Sequence, residues 1–574
     1  MKYSELIRRN REFESSGREM TYSIKILSNI TITPIKDILE YKLRCNDLPG
    51  KIKIGNYDNI LQDTADIKDT QAVIIFWELS NIIEGLQYKA DLFSDNELES
   101  IIKKTKNDID FVLNNLKNSP LVIMNLFSTN AFNNNLIRLN KFDKICNELN
   151  VYLSTLKLQN IIFIDINKVI SRLSVQKCIN FRDFYTTKSL YSIDFFEEYS
   201  KFILPIFLSI NGKSKKALIF DCDNTLWEGI LGEDEFKGIE MSSNSIKGRP
   251  FEEIQSIAID QYKHGIIIGL CSKNNYEDID SVLRKHPDLK LNDEYITIKK
   301  INWNSKDQNL KEMARNLNIG LDSFVFVDDS DFELNLIKDT LPEVTTIKVP
   351  ENRFIYPQVL RENLGLFFNI SESKEDLERN KTYKEQTIRQ EEQKKYVSFE
   401  DYLKNLNLKL TIQINRKELI PRLAQLSQKT NQFNLTTKRY TESEINSFME
   451  NEDYSVLGLS LKDKFGDYGV TGLCILKTID KKTIDIDTFL LSCRIIGRNV
   501  EFAFFNYLVN NLKSKKFEKI QASYITTAKN QLVHAFYDNL KFINTSSTTL
   551  KKQYELEIYQ FKPMNVGYFE ISQK

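Results

Sequence analysis

The stretch Ala217-Leu-Ile-Phe-Asp221-Cys-Asp223-Asn-Thr225-Leu226 sets four apolar residues ahead of two acids spaced by two. An unbroken apolar run reads as a strand buried on both faces of a parallel sheet, and ligands collect at the C-terminal ends of such strands. Asp221 is then positioned to attack phosphorus as a carboxylate nucleophile. Asp223 can protonate the leaving oxygen and later take a proton from water. Alone, the segment reads equally well as a strand followed by an Asx-type turn, since Asp and Asn favour turns.

Three later segments decide between these readings. A second strand ends Gly269-Leu-Cys271-Ser272-Lys273-Asn274, with a hydroxyl at its tip. Asn302-Trp-Asn-Ser-Lys306-Asp-Gln-Asn309 opens a helix with a cation in its first turn. The helix dipole disfavours a cation there by roughly 0.3–1 kcal/mol, so an anion nearby is expected. A further strand ends Phe324-Val-Phe-Val-Asp328-Asp329-Ser330. Paired acids at one strand tip repel unless a hard cation sits between them and the first pair, and an all-oxygen ligand set suits Mg²⁺. Only 46 residues separate Thr225 from Ser272, and 33 separate Ser272 from Lys306. Core helices and strands consume much of each gap. No large lid fits, so the site should be open, favouring a bulky or protein-tethered substrate.

The rest of the chain narrows the chemistry. Its 574 residues imply roughly three or four domains. Hydrophobic residues at 41% and charged residues at 28% fit a soluble globular protein. Lys+Arg and Asp+Glu are both 79, so no net field draws the chain to nucleic acid or anionic membrane. The polar, helical start from Met1 to Glu12 lacks the apolar core of a secretory signal, and no apolar run reaches the roughly 20 residues of a membrane helix. Seven dispersed cysteines without a CxxC pair argue for reduced thiols and a cytoplasmic setting. His264, His286 and His534 are the only histidines, which argues against a histidine-built metal centre or a Ser-His-Asp triad.

The expected fold class is α/β in three domains. Residues 1–212 carry four buried strands, Ile24–Ile30, Ala72–Trp77, Leu121–Leu126 and Ile161–Ile166, alternating with helices. Residues 213–368 form the carboxylate-bearing parallel sheet without a large cap, on strands Ala217–Phe220, Ile266–Cys271 and Phe324–Val327. Residues 369–396 read as a charged linker helix, with Ser371–Lys395 almost free of apolar residues. Residues 397–574 read as a mixed α/β domain with a meander near Val456–Leu491 and a helix after Gly497.

In chain order, DxDNT, Ser, Lys and DD resemble the four motifs of the haloacid-dehalogenase superfamily. The resemblance implies a Rossmannoid sheet with Asp221 as nucleophile and Asp223 as general acid/base. Ser272 and Lys306 would hold the phosphoryl oxygens. The Mg²⁺ shell would comprise Asp221, the Asp223 carbonyl, Asp328 and Asp329. The flanks Trp227-Glu-Gly229-Ile-Leu-Gly232, Asn302-Trp303 and Ser330-Asp-Phe-Glu333 resemble the FkbH-like family of subfamily IIIC, from about Tyr22 to Gly567. That family implies removal of phosphate from a 1,3-bisphosphoglycerate-like acyl phosphate. The glyceryl or acyl group would pass through a cysteine thioester to the phosphopantetheine of an acyl carrier protein. Cys222 and Cys271 are the thiols nearest the acids; two carboxylates beside Cys222 would blunt it unless Mg²⁺ offsets them.

Leu490-Leu-Ser-Cys493-Arg494-Ile-Ile-Gly497-Arg498-Asn499 resembles the pyrophosphate loop of GNAT-type acyltransferases, where bare backbone N–H groups at a helix start bind coenzyme A phosphates. Asn499 stands where that pattern has a small residue. Asn530, and Phe536-Tyr537 followed by Lys541-Phe542, resemble further elements of that family, with Lys541 in place of a glycine and Tyr537 implied as general acid. Coenzyme A or a carrier's pantetheine arm would occupy the groove. Lys25-Ile-Leu-Ser28-Asn29 ends a strand where SGNH-type hydrolases place a serine, but the preceding Gly-Asp and the later Asp-x-x-His are missing, so an SGNH-like fold without its triad is expected, serving docking or substrate selection.

Three functions follow. The first is the acyl-phosphate enzyme just described, with a phosphorylated small-molecule donor and a carrier protein or other acyl acceptor as partners. The second is a phosphatase acting on a phosphorylated sugar or polysaccharide intermediate, with a C-terminal N- or O-acetyltransferase. The third is a non-catalytic scaffold.

Overall fold

The computed structural model describes residues 2–15, 22–67, 70–132, 138–156, 158, 160–370, 380, 383, 398–527 and 529–574. The expected linker at 369–396 lies, apart from residues 369, 370, Asn380 and Tyr383, outside them. The chain forms two compact units, Met1–Leu208 with Tyr440–Glu444, and Ser209–Arg439 with Ile445–Lys574. The fold is α/β, with two parallel sheets and one mixed sheet.

The first unit is built on a five-stranded parallel sheet. Its strands are β1 Tyr22–Ser28, β2 Gly50–Ile54, β3 Ala72–Phe76, β4 Val122–Asn125 and β5 Ile161–Ile164, in the order β2-β1-β3-β4-β5. Long helices such as Asp95–Asn115 and Lys141–Thr155 pack Leu98, Ile102, Ile109, Phe142 and Leu149 against it, and each begins with a capping box. Four of the strands match the apolar runs of the sequence to within two residues. Gly50–Ile54 went unseen, because its lysines alternate with isoleucines on an edge strand that buries little.

The second unit carries a parallel sheet of β6 Ala217–Phe220, β7 Ile267–Ser272, β8 Ile298–Ile301, β9 Phe324–Asp328 and β10 Thr345–Lys348, ordered β10-β9-β6-β7-β8. The chain runs outward from β6 to β8 and then crosses back to β9, so the topological switch falls between β6 and β9. Helices Arg249–Lys263, Tyr276–Lys285, Lys306–Leu317 and Asp331–Thr340 cover it. Phe220 pairs with Val327 and Leu270, which brings three strand tips level. Between β7 and β8 lie only the helix Tyr276–Lys285 and a short 3₁₀ turn, so no cap domain is inserted there.

A mixed eight-stranded sheet follows: β11 Lys409–Ile414, β12 Tyr454–Asp463, β13 Gly466–Thr478, β14 Thr483–Leu491, β15 Lys519–Ile525, β16 Ile543–Ser547, β17 Lys551–Glu557 and β18 Glu570–Gln573. Their order is β16-β17-β15-β14-β13-β12-β11-β18. β12, β13 and β14 form the expected meander, while β14 and β15 run parallel and pair only over Thr483–Ile486. Phe489, Phe504, Phe505 and Phe536 pack in the core on this sheet. No helix among the described residues is long and apolar enough to cross a membrane.

Candidate active site

The tight turn after β6 is made by Asn224, whose φ of 51° lies in the left-handed region that Asn tolerates. Asn224 exchanges hydrogen bonds with Gly229: its amide donates to the Gly229 carbonyl at 3.2 Å, and its side-chain oxygen accepts from Gly229 N at 3.1 Å. The turn gives the two acids different surroundings. Asp221 stays level with the tip of β9, its backbone N–H donating to Val327 O at 2.9 Å. Asp223 turns away. Its Oδ1 accepts from Trp227 Nε1 and Leu231 N, both at 3.0 Å, and its Oδ2 accepts from Asn274 Nδ2 at 2.9 Å.

Lys306, the first residue of its helix, lies between the strand tips. Its Nζ is 2.6 Å from Asp328 Oδ2 and 3.0 Å from Asp221 Oδ1. It is 4% exposed, and Asp328 is fully buried. Burial alone would lower the Lys306 ammonium, but Asp221 and Asp328 outweigh it and hold it above its ordinary value. The anion expected from the helix start is thus a pair of carboxylates. Burial, and then the Asp221 charge, push Asp328 up to about 6 despite Lys306. Burial and Asp221 also raise Asp329, opposed by Arg353, whose guanidinium stands 3.7 Å from Asp329 Oδ2.

Carboxylate oxygens of Asp221, Asp328 and Asp329 lie within 4.8 Å of one another. Asp221 Oδ1 is buried and, although ion-paired with Lys306, receives no aligned hydrogen bond among the described residues. Three carboxylates against one ammonium and one flanking guanidinium leave negative charge in excess. An all-oxygen set of this kind fits a hard divalent cation such as Mg²⁺. The Asp223 carboxylate is outside the cluster, tied to Trp227, Leu231 and Asn274.

Ser272, at the tip of β7, is buried, and its Oγ accepts from Asn274 Nδ2 at 3.1 Å. Asn274 therefore joins the serine to Asp223, a link that sequence reading missed although the residue stands two positions after Ser272. Lys273 pairs with Glu333 at 2.6 Å on the same side of the sheet. Cys222 and Cys271 are both fully buried. Burial pushes both thiols up, with Asp221 and Asp223 adding to the effect at Cys222. Cys222 packs with Phe220, Leu226 and Trp227 in the core, the position of a small hydrophobe.

The C-terminal candidates each have contacts of their own, and Arg498 Nη2 donates to Arg494 O at 3.1 Å. Arg498 sits 3.7 Å from Asp463 and over the Tyr468 ring, and Asn499 Nδ2 donates to Tyr568 Oη at 2.8 Å. Asn499 and Lys541, which replace the expected small residues, keep φ values of 59° and 64°. Gly497 also has positive φ. The Asn530 amide is spent on Asn434 O, Ile525 O, Thr527 N and Tyr524 Oη. Tyr537 is buried among Phe536, Phe542 and Tyr554, and among the described residues its hydroxyl makes no hydrogen bond. Burial first, then Cys474, Asp485 and Tyr554, raise it well above the usual phenol value. Beyond Ile486, where β14 and β15 part, the chain fills the gap itself: Leu491 N donates to Phe433 O, Leu435 N to Phe489 O, and Ile525 N to Leu435 O. An extended chain cannot pair along those edges while Phe433–Leu435 holds them. In the first unit, Ser28 Oγ accepts from Ile30 N, and Asn29 bonds Glu78; all three histidines belong to the second unit.

No protein-family model and no curated protein matches the chain. Among solved structures it is similar to the N-terminal part of a Bacteroides fragilis protein containing a phosphatase domain complexed with Mg. The identity is 23% and the TM-score 0.58, over 65% of this chain and 100% of that one. It also matches the ribosomal-protein-S18-alanine N-acetyltransferase of Escherichia coli, at 15% identity and a TM-score of 0.22 over 26% of this chain and 94% of that one. Ard1 of Thermoplasma volcanium gives 13% and 0.21 over 26% and 97%. The first likeness establishes a fold shared with a phosphatase-containing protein.

Proposed function

We propose that the chain is a Mg²⁺-dependent phosphatase with an aspartate nucleophile, acting on a substrate presented on a larger carrier. The observation that carries this reading is Lys306 bridging Asp221 and Asp328, with Asp329 completing a carboxylate cluster at the topological switch. Asp221 attacks the phosphorus of a phosphate monoester, and Asp223 protonates the departing oxygen. Asp223 then takes a proton from the water that cleaves the aspartyl phosphate, and inorganic phosphate leaves. Lys306 and Ser272 hold the phosphoryl oxygens, and Asn274 keeps Asp223 aligned. Asp221, Asp328, Asp329 and the Asp223 carbonyl would hold Mg²⁺, which when bound neutralises charge on the transferring group.

The carrier is supported by the rim. Trp303, Phe332 and Phe354 are 70%, 71% and 65% exposed. They follow the C-terminal ends of β8, β9 and β10, the end of the sheet that also carries the acids. Apolar side chains left in water around an open site suit a protein-borne substrate. In the fuller reading that substrate chemistry is an acyl phosphate. A carrier thiolate attacks the acyl carbon and expels one phosphate, while Asp221 removes an ester phosphate. The reading is tested by phosphate release with Mg²⁺ from a bisphosphorylated acyl donor, with and without a phosphopantetheinylated carrier protein. Release should be lost by about 10³-fold or more in Asp221→Asn with folding intact; undiminished turnover in that variant sinks the nucleophile assignment.

A further inference from the structure

Within the second unit, a cavity of about 290 Å³ lies away from the carboxylate cluster. One wall comes from the start of the phosphatase-like sheet, with Lys216, Asn318 and Asp322. The other comes from the helix Ile420–Lys429 and the loop after β14, with Arg422, Lys429 and Arg494. The two walls are tied together by Lys216 Nζ donating to Lys429 O at 3.2 Å and Asn318 Nδ2 donating to Cys493 O at 2.9 Å. The acidic lining residue, Asp322, is already paired with Lys529. Gly497, Arg498 and Asn499, from the helix start compared above with a pyrophosphate loop, do not line this space.

Arg494 is 6% exposed, yet among the described residues its guanidinium makes no hydrogen bond and no ion pair. A guanidinium cannot shed its charge, and this one, mostly buried and without a protein acceptor, is left able to take an anion. Other cations share the space. A planar five-donor group facing such a cavity matches a two-oxygen anion in bidentate fashion. We propose that the cavity is an oxyanion-binding site, taking the phosphate or carboxylate group of a small molecule on Arg494. Its volume, at the small end of the range for ligand pockets, suits a short-chain metabolite rather than a nucleotide.

Cys493 lines the cavity and is partly exposed, so it reports on occupancy. The full-length chain is alkylated with iodoacetamide under native conditions, and each cysteine is followed by peptide mass, with exposed Cys45 as internal control. Inorganic phosphate and acetate are the two probes. At ten times its half-saturating concentration, the matching anion should slow modification of Cys493 about tenfold and leave Cys45 unchanged. Protection by phosphate assigns a phosphate group, and protection by acetate a carboxylate. Arg494→Met should abolish the protection without lowering the unfolding temperature of the free protein, because a buried unpaired charge is removed. Should that variant fail to fold, Arg494→Gln is read in the same assay. Asp221→Asn should be protected like the wild type, which separates this site from the phosphatase reading. Failure of both anions to protect, equal slowing at Cys45, or protection that survives loss of the guanidinium overturns the proposal.

Discussion

Lys306 Nζ and Asp328 Oδ2 meet at 2.6 Å, with Asp328 fully buried at the tip of β9 and Lys306 opening the helix that precedes that strand. The same ammonium reaches Asp221 on the neighbouring strand. One cation thus holds two carboxylates that would otherwise repel, and the excess negative charge is left facing Asp329.

Replacing Lys306 with Met should therefore destabilise the metal-free protein by about 3–5 kcal/mol, because two buried carboxylates lose their counter-charge. Added Mg²⁺ should restore part of it. Thermal unfolding with and without Mg²⁺ measures both; a variant as stable as the wild type in chelator would show that the ammonium is not holding the pair.

The raised Asp328 value sets a pH dependence. Its folded value, about 6, exceeds the ordinary 3.8, so between these values the folded site holds a proton that the unfolded chain releases. Stability contributed by this group is present below the lower value and lost as pH rises through about 6. Mg²⁺ needs the ionised carboxylates, so its stabilising effect should grow through the same window. The Mg²⁺-induced rise in unfolding temperature is expected to be larger near pH 7.5 than near pH 5, and the contrast should shrink in Asp328→Asn.

Trp303 is exposed but oriented, its Nε1 donating to Asn275 Oδ1 at 3.2 Å. Trp303→Ala should raise KM for a carrier-borne substrate by about 5–30-fold, the effect of losing an aromatic anchor worth about 1–2 kcal/mol. A small phosphate ester should be turned over nearly as before. Equal loss on both substrates would place Trp303 in the folding of the site rather than in docking.

Native-state alkylation should label Cys45 and spare Cys222 and Cys271, whose thiols are buried and shifted upward. Turnover with the acyl donor should leave neither as a thioester. A mass gain on Cys222 that disappears in Cys222→Ser would restore the covalent route implied by the family resemblance.

The sequence by itself determined the strands that carry the acids. Ala217–Phe220 and Phe324–Asp328 are buried on both faces, so each is a continuous apolar run ending abruptly in carboxylates, a pattern visible without knowing any neighbour. Edge strands Ile298–Ile301 and Thr345–Lys348 escaped notice because lysines and threonines interrupt them where burial is partial. Only the tertiary structure decided which polar groups meet. Asn274 joining Asp223 to Ser272, Arg353 beside Asp329, Phe433–Leu435 filling the gap between β14 and β15, and the unpaired Arg494 all depend on register and side-chain direction between segments far apart in the chain. Local patterning specifies where a strand ends; the distances of a few ångströms that make chemistry come from how the layers pack.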